Sequence, residues 1–253
     1  MGGLGNQLFQ WSLYKRFEQE FGQKNVFIDD SFYTNHLVGT TKRNFLLGDF
    51  PNLKFSKVKV SDIKNESFMH IKDDFNFKNY CKLIDQDKNN NFYFDGYWQN
   101  YKYFQDVEEI IRQELFMDIE FKMKKSSTSL HVRRTDYCTS NGYHPVIEID
   151  YYKQALEIFQ NHEELYIFSD DISWCKENLK FENMIFQEDT TELEDLTIMS
   201  KCKQNIIANS TFSWWGAWLN NNPDKKVIAP KKWFGDHVNL NTSDLLPNNW
   251  IKI

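Results

Sequence analysis

Two adjacent arginines, Arg133 and Arg134, close the run Leu130-His131-Val132-Arg133-Arg134-Thr135-Asp136, in a chain of 253 residues with five arginines against twenty-five lysines. Lysine supplies the bulk charge. A guanidinium instead offers a planar fork that grips a phosphate or carboxylate through two parallel bonds, which a lysine point charge does not reproduce. The alternative is an ion pair of one arginine with Asp136. A second polar run, Asn209-Ser210-Thr211, opens the segment Phe212-Ser213-Trp214-Trp215-Gly216-Ala217-Trp218-Leu219. As a helix it would aim unpaired N–H groups and its positive dipole end at an anion. The alternative is that these polar residues only cap it. Trp214, Trp215 and Trp218 recur at helical spacing and read as core.

The elements that position these residues alternate regularly beyond the polar stretch 122–127, which reads as a linker. Strands are predicted at 129–133, 165–168, 184–186, 206–208 and 227–229. Helices between them carry Tyr152, Ala155, Leu156 and Phe159 (with Asp150 as cap), then Trp174, Cys175 and Leu179, then Leu193, Leu196, Met199 and Cys202. Strand–helix alternation implies parallel pairing with right-handed crossovers, hence a doubly wound half. Ligands of such sheets bind at the carboxyl ends of the strands. Three of those ends here are polar: His131 to Asp136, Ser169-Asp170-Asp171 and Asn209-Ser210-Thr211.

The first half is less regular. Gly2-Gly3-Leu4-Gly5-Asn6-Gln7 reads as a flexible loop feeding a helix with Phe9, Leu13, Phe17 and Phe21 at four-residue spacing. Short strands are predicted at 26–28 and 92–94, a helix around Val107 to Leu115, and short helices with irregular connections from Lys42 to Lys88.

Composition excludes several classes. A hydrophobic content of 41% with 17% aromatics excludes a disordered chain. A net charge of −6 argues against a broad nucleic-acid surface, so any anion site is local. Four separated cysteines form no Cys-x-x-Cys pair and read as reduced. The absence of a signal segment or membrane-length apolar run predicts a soluble, cytoplasmic protein with at most peripheral membrane contact.

Four blocks together resemble glycosyltransferase family 11, the α-1,2-fucosyltransferases: Gly2 to Gln10, His131 to Tyr137, Phe168 to Asp171, and Asn209 to Trp218. Gly96-Tyr97-Trp98-Gln99, Asp150-Tyr151-Tyr152 and Val227-Ile228-Ala229-Pro230 extend the resemblance over nearly the whole chain. It implies an α/β, GT-B-like fold of two Rossmann-like halves facing a cleft, the first reduced and irregular. Residues 1–122 would be the acceptor side and 123–253 the GDP-fucose-binding domain. The implied reaction is inverting transfer of L-fucose from GDP-β-L-fucose to the 2-hydroxyl of a terminal β-galactoside, without cofactor or metal. The acceptor would be a galactose-terminated oligosaccharide or lipid-linked glycan.

The resemblance places Arg133 on the donor diphosphate, with Arg134 in support. Departure of the sugar leaves extra negative charge on GDP, so a fixed guanidinium stabilises the transition state beyond the bound donor. Asp195 resembles an aspartate that reads guanine; the alternative is an acidic residue favouring its helix N-terminus beside Glu192 and Glu194. His131, Asn209, Ser210, Thr211, Gly3, Gly5 and Asn6 complete the expected donor contacts. Asp136 is the first candidate to take the acceptor's proton, its alternative being a salt bridge to an arginine, with Asn6, Gln7, His144 and Glu148 as further contributors. Gln7, Trp98, Tyr143 and His144 are the expected acceptor contacts, and Tyr97 is a further stacking candidate. Asp85-Gln86-Asp87 resembles a metal-binding pair but sits in a Lys/Asn-rich stretch and reads as a solvated loop.

Two departures from the family pattern stand out. Only Met1 precedes the glycine loop where family members carry a strand, so either the given start is internal or the N-terminal sheet does without that strand, and Thr135 replaces a common glycine. Three rivals are weighed: a transferase for another GDP-sugar, a non-catalytic carbohydrate-binding protein, and a dinucleotide-dependent oxidoreductase. The last needs a preceding strand and a third glycine, and both are absent.

Overall fold

The computed structural model describes residues 1–34, 42–59, 63, 67–73 and 90–253. Two compact units divide the chain, Met1–Met117 with Leu240–Leu246, and Asp118–Asn239 with Pro247–Ile253.

The first unit is organised on helix α1 (Leu4–Phe21), which buries Leu4, Leu8, Phe9 and Trp11. The apolar positions predicted its course, and Gly22 ends it at φ 80°, a left-handed conformation that a side chain rarely adopts. Its start corrects an expectation. The helix begins at Leu4, so Gly5, Asn6 and Gln7 belong to its first turns instead of a flexible loop, with Gly3 as N-cap and its carbonyl accepting from the Asn6 and Gln7 N–H groups. The strand expected at 26–28 is displaced to β1 (Ile28–Asp29), parallel to β2 (Lys57–Val58). The helical turn α2 (Ser31–Thr34) follows β1, and β3 (Phe68–Lys72) pairs in parallel with β4 (Asn91–Asp95). Helix α3 (Glu108–Glu114) presses the fully buried Ile111 inward, and Glu114 ion-pairs at 2.9 Å with the buried Lys15 of α1.

The second unit is a six-stranded, all-parallel sheet. Its elements are β5 (Ser127–Val132), α4 (Ile149–Phe159), β6 (Glu164–Ser169), α5 (Ile172–Asn178), β7 (Met184–Phe186), α6 (Glu192–Lys201), β8 (Gln204–Ile206), α7 (Thr211–Leu219), β9 (Lys226–Ala229) and β10 (Ile251–Lys252). Strand order is β10-β9-β8-β5-β6-β7. The chain runs outward from β5 to β7, then returns to the opposite side of β5 with β8. The β5/β8 junction is therefore the topological switch point, where such sheets open a crevice beyond the carboxyl ends.

Alternation along β6 explains the layering. Leu165 and Ile167 join Tyr152, Ala155, Phe159 and Cys175 on one face, while Tyr166 and Phe168 join Ile198, Met199 and Cys202 on the other. At Gly216 an added Cβ would lie 2.7 Å from Met199 Cβ, so the close approach of α6 and α7 requires glycine. Glu148, two residues before the expected Asp150, is the N-cap of α4. The stretch Ile207-Ala208, expected in β8, lies just beyond it as buried connection.

Candidate functional site

Parallel pairing of β5 with β6 sets Val132 opposite Ser169, so the residues that follow each strand emerge side by side. Arg133 and Asp170 thereby meet: Nε lies 3.3 Å from Asp170 Oδ2, and Nη2 lies 2.7 Å from Asp136 Oδ1. The ion pair weighed against a catalytic role for Asp136 is thus formed. Neither contact uses Nη1.

Asp170 also accepts hydrogen bonds from the Arg134 N–H at 2.9 Å, the Thr135 N–H at 3.2 Å and the Thr135 hydroxyl. Burial alone would raise its pKa, yet the Arg133 charge, the Thr135 hydroxyl and the Arg134 N–H hold the carboxyl below its ordinary value. Threonine in place of the common glycine thus supplies a loop bond. Arg134 turns elsewhere, its Cζ 3.8 Å from the centre of the Trp174 ring and its Nε 3.5 Å from Asp171.

Across the switch point, His131 of β5 is buried with Nδ1 2.8 Å from Ser213 Oγ in α7. Burial first, and then the Arg133 charge, lower its pKa and keep the imidazole neutral. Ser210 is the N-cap of α7 and makes no side-chain capping bond; its carbonyl accepts from the Trp214 N–H at 3.0 Å, and Thr211 begins the helix. Asn209 is fully buried. Its Nδ2 donates to the Pro145 carbonyl at 2.9 Å and the Trp233 carbonyl at 3.1 Å, so the side chain ties two loops together. Trp214 and Trp215 are fully buried and Trp218 nearly so, as core.

Beyond Asp136 the chain forms an aromatic stack. The Arg133 guanidinium lies 5.4 Å from the Tyr137 ring, which stacks on His144 at 4.5 Å, and Tyr137 donates its hydroxyl to the Asn209 carbonyl at 2.9 Å. Tyr143 stands edge-on to His144 and to Phe234 and remains 44% exposed. Burial lowers the His144 pKa, against the raising influence of Asp136.

On α6, Thr191 and Glu194 form a reciprocal capping box, and Asp195 is a separate partly buried carboxyl accepting from the Thr190 hydroxyl at 2.6 Å. Burial pushes its pKa up to about 6, helped by Glu194 and Glu192 and opposed by Thr190.

In the first unit the expected contacts are arranged differently. Gln7 is buried, donates to the Gly2 carbonyl at 3.1 Å and the Asn44 carbonyl at 2.8 Å, and accepts from the Leu46 N–H at 2.9 Å. These bonds clamp Gln7, an expected acceptor contact, onto the 44–46 segment. Trp98, an expected acceptor contact, is 2% exposed and lies between Phe94 and Tyr103. Its left-handed φ of 58° turns the chain so that Gln99 Nε2 donates to Asn6 Oδ1 at 2.9 Å, joining two of the sequence blocks. Tyr97 is 40% exposed. Gly3 has open space where a Cβ would stand, while Gly5 lies inside α1.

The chain matches the model for glycosyl transferase family 11 over residues 2–253. It belongs to glycosyltransferase family 11. The O-antigen biosynthesis glycosyltransferase WbnK of Escherichia coli is 31% identical over all of this chain and 98% of its own length. An alpha-1,2-colitosyltransferase of Escherichia coli is 31% identical over all of this chain and 96% of that protein. A galactoside 2-alpha-L-fucosyltransferase of Caenorhabditis elegans is 22% identical over 99% of this chain and 77% of its own length.

As a family 11 glycosyltransferase the protein uses a nucleotide-sugar donor and a glycan acceptor. Among the described residues no helix is long and apolar enough to cross a membrane, and no group of three or more His, Cys, Asp or Glu side chains is placed to hold a metal ion. Asp85-Gln86-Asp87 lies outside the described residues. Sequence reasoning singled out the Ser169-Asp170-Asp171 strand end but gave Asp170 no role, and it passed over Ser213 and Tyr137. Their only sequence signal was membership in the matching blocks.

Proposed function

We propose that this glycosyltransferase transfers L-fucose from GDP-β-L-fucose to the 2-hydroxyl of a terminal β-galactoside, with inversion and without a metal. The observation that carries the proposal is Arg133 just beyond the carboxyl end of β5, a strand that borders the switch point of a parallel sheet, where it pairs with Asp170 through Nε and with Asp136 through Nη2. That strand end is suited to a diphosphate, whose charge grows as the sugar departs, so the guanidinium lowers the barrier more than it tightens ground-state binding. The α7 N-terminus adds its dipole. His131, held neutral, adds a hydrogen-bonding group without competing charge. Asp195 accepts the guanine N–H groups.

Asp136 takes the acceptor proton as the hydroxyl attacks from the face opposite the phosphate. Tyr143 and His144 supply the sugar-facing surface. Donor recognition falls to the second unit, which also carries Asp136, Tyr143 and His144, and the remaining acceptor recognition falls to the first; the GT-B-like architecture implied by the resemblance is part of the same proposal. So are a cytoplasmic location and an acceptor that is a galactose-terminated or lipid-linked glycan.

The colitosyltransferase relative favours a second donor, since colitose is fucose without its 3-hydroxyl. The experiment supplies the purified protein with GDP-fucose, GDP-mannose or nucleotide-activated colitose, and a panel of β-galactosides, with and without chelator. Fucosylated product, undiminished by chelator, is expected. Product from the colitose donor alone would replace the donor assignment, and absence of transfer to every galactoside would reject the acceptor class.

A further inference from the structure

We propose that Asp170 is the positioning residue for Arg133: it fixes the direction of the guanidinium and the shape of the loop that carries it, and so acts on the reaction only through Arg133. The inference rests on the donor-site reading above, in which Arg133 meets the diphosphate.

The geometry separates Asp170 from the other carboxylate on Arg133. Asp136 lies three residues downstream, on the turn that follows the strand, and meets the guanidinium at the tip, Nη2. Asp170 comes from the neighbouring strand and meets it at Nε, the nitrogen nearest the backbone. The ion pair at Nε draws the base of the guanidinium towards the end of β6, whereas the hydrogen bond at the tip alone would allow the plane to swing about it. The same carboxylate gathers the N–H groups of residues 134 and 135 and the Thr135 hydroxyl, so loop and side chain are set from one point. Asp170 is itself placed by the register of β5 on β6, with Val132 opposite Ser169, and therefore by the rigid centre of the sheet. A catalytic charge supported in this way keeps its bearing before the donor arrives, so less ordering is needed at the moment of reaction.

A positioning role and a merely structural one predict different couplings. If Asp170 acts through Arg133, removing its charge matters only while Arg133 is present; if it only holds the fold, the loss is the same in either background. GDP affinity, turnover and acceptor KM are therefore measured for the parent, Asp170→Asn, Arg133→Lys and the double variant, with GDP binding by calorimetry as a readout independent of turnover. Asp170→Asn alone is expected to weaken GDP binding about tenfold and turnover about a hundredfold, leaving acceptor KM within about twofold. In the Arg133→Lys background the same change is expected to alter either quantity by no more than about twofold.

Equal losses in both backgrounds, or parental behaviour of Asp170→Asn, would overturn the inference while leaving the donor site intact. Parental GDP binding and turnover in Arg133→Lys would instead sink the donor-site reading itself. Should Asp170→Asn fail to fold, Asp170→Glu carries the same cycle, because it keeps the charge but displaces it by a methylene. Coupling to Arg133 supports the role there too, and its absence refutes it.

Discussion

Polar residues that look alike in the sequence are used in opposite ways in the two units. In the second, Arg133, Asp136 and Asp170 stand just beyond the open ends of β5 and β6, with Arg133 paired to both carboxylates, and the neighbouring His131 bonds to the Ser213 side chain. In the first, Gln7 gives its carbonyl oxygen and its amide to backbone groups, and the Trp98 ring is buried. The difference teaches that a matching block marks a place, not a role. A charge held by other side chains at a strand end is kept for chemistry, whereas an amide bonded to backbone on both sides is kept for the fold.

Substitutions test that contrast by dividing losses of turnover from losses of stability. Arg133→Lys should show the largest effect, a fall in turnover of roughly 100- to 1,000-fold with an unchanged melting temperature, because a point charge does not reproduce the fork. Near-parental rates would break the comparison at its strongest point. Asp136→Asn should lower turnover by about 100-fold while GDP affinity, read by calorimetry, changes little. A large loss of GDP affinity instead would mean that its pairing with Arg133 is its whole function.

Asp195 gives a pH-dependent test. With its pKa raised to about 6, it is a carboxylate able to accept from guanine only above that pH, so GDP affinity should fall as pH drops through about 6. The β-phosphate of GDP titrates nearby, and the comparison with Asp195→Asn, which should lack the residue's share of that fall, isolates the side chain. For stability the sign is reversed. The folded state holds this proton more tightly than the unfolded chain, so the group's contribution declines as pH rises from its unfolded value of 3.8 towards 6.

Gln7→Ala is the smallest expected change and the one that defines the first unit. It strands the Leu46 N–H and two carbonyls and should cost about 1–3 kcal/mol in denaturant unfolding. A drop in turnover at full stability would return Gln7 to the acceptor site.

Much of the second unit was legible because strand–helix alternation and a 3.6-residue apolar period are properties of short windows. The tryptophans of α7, the inward face of α4 and the carboxyl-end location of the polar runs all follow from them. What sequence could not supply was register. Asp170 meets the N–H of Arg134 from 36 residues away, and only the pairing of Val132 with Ser169 brings them together. Nor does the composition of Leu240–Leu246 reveal that it lies with the first unit, where Asp244 pairs with Lys102 at 2.5 Å. The backbone partners of Gln7 and the burial of Trp98 are not legible either, because a side chain's type does not reveal what surrounds it. The glycine run predicts a loop because its residues favour loops, yet the carbonyl of Gly3 is already bonded into the first helical turn.

Six of the eight tryptophans, Trp174, Trp214, Trp215, Trp218, Trp233 and Trp250, lie in the second unit, and the rings of Trp214, Trp215 and Trp218 are within 5.0–6.0 Å of one another. Intrinsic emission from this protein is therefore dominated by one half, with the close indoles exchanging excitation. A melt followed by fluorescence would chiefly track that half, while opening of the other would leave only the faint signature of Trp11 and Trp98.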